Sequence, residues 1–111
     1  MEISRSADRR APPDVPPVER DGVRYAQASD GRDVGADRAD GVLVALEGQT
    51  GKLLWFLTVY RTEMDPLVET DVQWRFFTKM AFDSDGRLRI SNQARRTYLV
   101  DVKSRTVIPV P

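Results

Sequence analysis

The sequence predicts an all-β fold: an antiparallel meander of about six or seven strands, curled into a small sandwich or a partly open barrel. Three observations carry that expectation. Short apolar runs recur between turn-forming clusters of Gly, Asp, Asn and Pro. Those runs are rich in β-branched and aromatic residues, which suit a pleated surface. The segment from Val72 to Phe82 sets Val72, Trp74, Phe76, Met80 and Phe82 on one face and Gln73, Arg75 and Lys79 on the other, the alternation of a half-buried strand.

With 111 residues the chain has room for one domain. The boundary expected from composition divides a proline-rich arm, residues 1–20, from a single β domain over residues 21–111. The arm carries Pro12, Pro13, Pro16 and Pro17 among charges of both signs, which points to a disordered or polyproline-like segment. Pro13 and Pro16 stand at a PxxP spacing, a docking signal that arises readily by chance.

The strands follow in order. Gly22 to Ala26 forms a first strand, and Asp30 to Gly41, with three glycines and four aspartates, reads as an exposed loop. Val42 to Leu46 and Leu53 to Tyr60 flank the polar connection Glu47 to Lys52 and predict a hairpin. In its second strand Leu53, Trp55, Leu57 and Val59 occupy one face and Leu54, Phe56 and Tyr60 the other, so both faces call for cover. Met64-Asp65-Pro66 turns the chain into the strand at Val72 to Phe82. Asp83-Ser84-Asp85-Gly86 leads to Arg87 to Ser91, and Asn92 to Arg95 turns into Arg96 to Val102. Lys103 to Arg105 connects to a last strand at Thr106 to Ile108.

Acidic and basic residues balance at 17 each, so no global field draws the chain to nucleic acid or an anionic membrane. Cysteine and histidine are absent, which removes disulfides, thiolate nucleophiles, Cys/His zinc sites and the Ser-His-Asp arrangement. No apolar stretch approaches the roughly 18 residues of a membrane span, and residues 1–20 lack a signal's apolar core. A cytoplasmic protein is expected, with neither nucleic acid nor membrane among its partners.

The run Ala45-Leu46-Glu47-Gly48-Gln49-Thr50-Gly51-Lys52-Leu53-Leu54-Trp55 resembles the repeat of PQQ-type β-propellers. That family's blade carries alanine, aspartate two later, Thr-Gly, and tryptophan four residues after the glycine. Ala45, Thr50, Gly51 and Trp55 match, with Glu47 in place of the aspartate. The resemblance implies that Glu47 and Thr50 bond across a turn, that Gly51 takes a positive φ and that Trp55 packs across strands. Leu99 to Val107 echoes the pattern with Asp101 and Ser104, but Arg105 stands at the glycine and Pro109 at the tryptophan. Propellers typically need about 4–8 four-stranded blades, more than this chain can supply, so no closed ring and no quinone cofactor are carried over. No cofactor is expected.

Three acidic clusters are candidates for chemistry. Asp30, Asp33, Asp37 and Asp40 supply oxygen ligands for calcium, but not at EF-hand spacing, and a solvated loop is the simpler reading; no metal site is expected. Asp83-Ser84-Asp85-Gly86 opens like an EF-hand loop, yet Ala94 stands where the twelfth-position Glu belongs. Glu63, Asp65, Glu69 and Asp71 bracket Pro66 and could pair for acid and base work, though charge beside an exposed turn usually serves solubility. A carboxylate-based hydrolase therefore ranks below an ion- or small-molecule-binding module.

The leading expectation is a non-catalytic interaction module that binds a protein partner or a second copy of itself as a homodimer. Its candidate surface is Phe56, Tyr60 and Phe77, aromatics on the less buried side, with the adjacent Arg61 and Arg75, because interfaces enrich aromatic area beside arginine. By analogy alone, a small bacterial inhibitor or immunity-type protein has this size and this lack of catalytic residues.

Overall fold

The computed structural model describes residues 14–61, 67 and 74–111. Most of the proline-rich arm, the turn at Met64-Asp65-Pro66, its four flanking carboxylates and the expected strand residues Val72 and Gln73 lie outside them. The described residues contain no α-helix. They form eight strands: β1 (Val18–Arg20), β2 (Val23–Gln27), β3 (Val42–Glu47), β4 (Leu53–Thr58), β5 (Phe77–Phe82), β6 (Leu88–Asn92), β7 (Thr97–Asp101) and β8 (Thr106–Val110).

The all-β, antiparallel expectation holds, but its finer form does not. There is not one continuous meander but two four-stranded ones, β1-β2-β3-β4 and β5-β6-β7-β8, each pairing in sequence order. No ladder joins them among the described residues, so they do not close into a barrel. The backbone entering β5 is held by side chains as well as by Gln93 N–H, which donates to the Phe76 carbonyl at 3.0 Å. Arg75 N–H donates to Asp40 Oδ2 at 2.8 Å, Phe76 N–H to Gln93 Oε1 at 2.9 Å and Phe77 N–H to Gln27 Oε1 at 2.6 Å.

The arm ends earlier than its composition suggests. Val18–Arg20 pairs antiparallel with β2, Val18 opposite Tyr25 and Arg20 opposite Val23. The cause is the Asp21-Gly22 dipeptide, whose φ values of 54° and 79° are those of a two-residue primed hairpin turn. Val15 and Val18 also pack against the core.

The two sheets share a core through one face each. Tyr25, Leu43 and Ala45 from the first meet Phe77, Met80, Leu88, Ile90 and Val100 from the second, with Trp55, Leu57 and Phe82 at its margin. Tyr25 sits edge-on to Phe82, ring centroids 5.5 Å apart, a geometry favoured by the ring quadrupoles. Burying such side chains is the main stabilising term, on the order of 1.5–3 kcal/mol for each large one.

The regular alternation expected over Val72 to Phe82 breaks. Pairing with β6 shifts register between Phe77 and Lys79, and Phe76 and Phe77 are consecutive yet both buried. Behind the first sheet, Val42 and Val44 are covered by the loop between β2 and β3, through Ala28, Val34 and Ala36. Gly31 permits this close approach, since a Cβ there would fall 2.4 Å from Val42 Cγ2. The aspartate-rich segment is therefore packed as well as exposed.

Candidate binding surfaces

The hairpin between β3 and β4 forms as expected, and its turn is held by one carboxylate. Glu47 Oε1 accepts from Gln49 N–H at 3.1 Å, Thr50 N–H at 2.7 Å and the Thr50 hydroxyl at 2.8 Å, while Gly51 takes φ 75°. The turn between β7 and β8 repeats the arrangement. Asp101 Oδ1 accepts from Lys103 N–H at 3.0 Å and Ser104 N–H at 3.2 Å, and Arg105 takes φ 59° at the glycine's place. Bonds from Thr50 hold the Glu47 carboxyl below its ordinary range, and those from Ser104 and Lys103 do the same for Asp101.

β4 is an edge strand of the first sheet. Trp55 and Leu57 turn toward the shared core, whereas Leu54 and Phe56 face outward and remain 48% and 38% exposed. The other edges are guarded. β1 is three residues long and charged, β5 carries Lys79 and a register shift, and β8 contains Pro109. Among the described residues β4 alone offers a six-residue backbone edge without a charged side chain.

A second surface lies at the end of the molecule where the β2–β3 loop, the exit from β4 and the β6–β7 turn meet. A cleft of about 430 Å³ is lined by Tyr60, Arg61, Arg75, Asn92, Ala94, Arg96 and Tyr98. Its floor is rigid. Tyr60 stacks on Tyr98 with centroids 5.0 Å apart and planes at 18°, and its hydroxyl donates to the Arg75 carbonyl. Burial, and next the charge of Asp40, push the Tyr60 phenol far above its ordinary range, while a hydrogen bond with Asn92 pulls it back.

Asn92 also builds the turn that presents Arg96. Its Oδ1 accepts from Ala94 N–H and Arg96 N–H, both at 3.0 Å, and the side chain is almost wholly buried. On the facing wall the Arg61 guanidinium pairs with Asp37 at 2.9 Å, both side chains more than half exposed. That pair holds the Asp37 carboxyl low and is worth little in stability because solvent screens it.

The structure brings together three of the five residues expected at a partner surface, Tyr60, Arg61 and Arg75, but Tyr60 contributes a buried wall, not an exposed ring. Phe77 is a correction. It is fully buried, because the register shift in β5 turns it inward beneath Tyr60, 6.1 Å between centroids. Phe56 stays at the surface, beside Gly35 of the covering loop. Asn92, Arg96 and Tyr98 escaped the sequence reading. An Asn opening a four-residue turn was legible, but not its delivery of Arg96 into the same cleft as Arg61.

The aspartates of the β2–β3 loop do not converge. Asp30 accepts from Arg32, Asp37 pairs with Arg61, and Asp40 is fully buried against Arg38 at 2.9 Å. Among the described residues no group of three or more potential metal ligands is found, and no helix is long and apolar enough to cross a membrane. No family model, no curated protein and no solved structure matches the chain.

Proposed function

We propose that this chain is a non-catalytic interaction module made of two blade-like units, and that it associates with a second copy of itself by pairing the β4 edges. The observation that carries the reading is the unguarded edge Leu53–Thr58, apolar outward at Leu54 and Phe56. Antiparallel pairing of two copies about Trp55 sets Leu54 opposite Phe56 on the outer face and brings no charged side chain of β4 into the seam. It also satisfies backbone donors and acceptors that an edge leaves open. The two-unit reading draws support from the matching turns at Glu47 and Asp101 and from the PQQ-type resemblance of the first. Binding is favoured over chemistry because the chain has neither His nor Cys and the carboxylates of Asp40, Glu47 and Asp101 hold local structure.

The test is solution mass by light scattering after size exclusion, over a concentration series, for wild type and for Phe56→Lys. Dimer mass for wild type and monomer mass for a variant that keeps the wild-type β-sheet circular dichroism is the expected result. A wild type that stays at the mass of one chain at about 100 μM, where interfaces with Kd near 1 μM are saturated, overturns self-pairing.

A further inference from the structure

We propose that the cleft between Arg20 and Lys103 binds a free α-amino acid through its carboxylate and ammonium groups. The cleft, about 570 Å³, opens where the β1–β2, β5–β6 and β7–β8 turns meet, and it shares no residue with β4. That volume lies in the range of small-molecule clefts, roughly 300–1,000 Å³. Arg20, Arg87 and Lys103 line it together with Asp21, Asp85 and Asp101. Among the described residues no ion pair joins any two of these six, so charges of both signs line one space without pairing.

The wall from the first sheet is built for a carboxylate. Arg20 lays its guanidinium over the Phe82 ring, 4.7 Å from the centroid, and a Cβ on Gly86 would stand 3.8 Å from Arg20 Nη1. The stack takes up the flat face of the guanidinium, while its N–H edge has no hydrogen-bond partner among the described residues. Tyr25 lines the same cleft at only 6% exposure, and its hydroxyl likewise has no partner among the described residues. A buried hydroxyl left unpaired in the fold is costly, and a ligand that accepts from it removes the cost. Burial first and then the charge of Asp21 raise the Tyr25 phenol, while Arg20 lowers it, so the hydroxyl end lies within the field of this wall and stays a donor at neutral pH.

Arg20 and Tyr25 therefore offer donors to a carboxylate, and Asp21 and Asp85 offer acceptors to the ammonium beside it. Asp101 is less available, since its Oδ1 already accepts from Lys103 N–H and Ser104 N–H. The three aspartates form no metal-ligating group among the described residues, and an organic ammonium is the cation they suit. Three cations and three carboxylates cancel, so net charge draws neither a simple anion nor a simple cation. A molecule carrying both signs makes both kinds of pair and leaves no surplus charge behind.

The experiment is calorimetric titration of the full chain with each of the common L-amino acids, and with acetate and methylammonium as the two halves of their shared headgroup, at matched ionic strength. Saturable binding of at least one amino acid, reproduced by neither half, is expected. Arg20→Gln should weaken it roughly tenfold, the loss of one charged hydrogen bond, and Tyr25→Phe about threefold, the loss of a neutral one. Tyr25→Phe should do so without lowering Tm, because no bond inside the fold is lost. Arg89→Gln, outside the cleft, should leave binding intact. The proposal is overturned if no amino acid binds saturably up to about 10 mM, or if acetate or methylammonium binds as tightly as the best amino acid. Equal losses in Arg20→Gln and Arg89→Gln, or a Tm lowered by Tyr25→Phe, overturn it as well.

Discussion

Asp40 Oδ2 accepts the backbone N–H of Arg75 at 2.8 Å, and through that bond the loop behind the first sheet fixes where the second sheet begins. The same carboxylate pairs with Arg38 at 2.9 Å, with Asp40 fully buried and the Arg38 side chain only 11% exposed. Arg38 also lies over the Trp74 ring at 5.5 Å, so one anion organises a guanidinium, a backbone amide and an aromatic wall. Asp40→Asn keeps the shape but removes the buried anion from its pair with Arg38. Urea unfolding should show a loss of about 3 kcal/mol, in the range for breaking a buried pair from one side. A loss below about 1 kcal/mol would mean that water reaches the pair.

Phe77 and Leu54 test the assignment of core and surface. Phe77 is fully buried and touches Tyr60, so Phe77→Ala should cost about 3–5 kcal/mol, transfer plus cavity. Leu54 is 48% exposed, and Leu54→Ser should stay within about 0.5 kcal/mol in the monomer. Equal losses at the two positions would contradict the assignment of Phe77 to the core and Leu54 to the surface.

Gly51 and Arg105 occupy equivalent places in their turns with φ of 75° and 59°. A Cβ at Gly51 meets nothing within 4 Å, so Gly51→Ala isolates the backbone strain and should cost about 1 kcal/mol by thermal melting. Arg105→Gly relieves comparable strain but removes a guanidinium that lies 4.9 Å from the Trp55 centroid, worth about 0.5–1 kcal/mol. The opposed effects predict almost no change in Tm. A clear loss would assign the larger share to the contact with Trp55.

Acid stability should depend on the two turn carboxylates. Glu47 and Asp101 have folded values below their ordinary ones, so their contribution is complete above the unfolded range near pH 4 and lost as pH falls through the folded values. Melting curves of Glu47→Gln/Asp101→Asn should lie below wild type at neutral pH and converge with it on acidification. Parallel curves would show that the carboxylates titrate alike in both states.

At the alkaline limb the sign reverses. The Tyr60 phenol is raised in the fold, chiefly by burial, so its contribution is complete below the unfolded value near 10 and lost as pH rises toward the folded one. Tyr60→Phe should flatten the fall in Tm above about pH 10 while lowering stability at neutral pH, since the Arg75 carbonyl loses its donor. An unchanged alkaline limb would place the titration elsewhere.

What the sequence determined by itself is local. The alternation and β-branched runs specified the strands, and Glu47, Thr50 and Gly51 specified the β3–β4 turn, because these depend on residues within a few positions of one another. The Asp21-Gly22 turn was equally local but hidden inside a proline-rich stretch, so β1 was missed. Only the tertiary structure decided the division into two sheets, the inward turn of Phe77 and the burial of Asp40. Each depends on a partner far along the chain, such as Gln27 for Phe77 N–H or Arg75 for Asp40. The same reason governs the cleft. Arg61 follows β4 of the first sheet and Arg96 lies in the β6–β7 turn of the second, so only packing places them in the lining of one cleft.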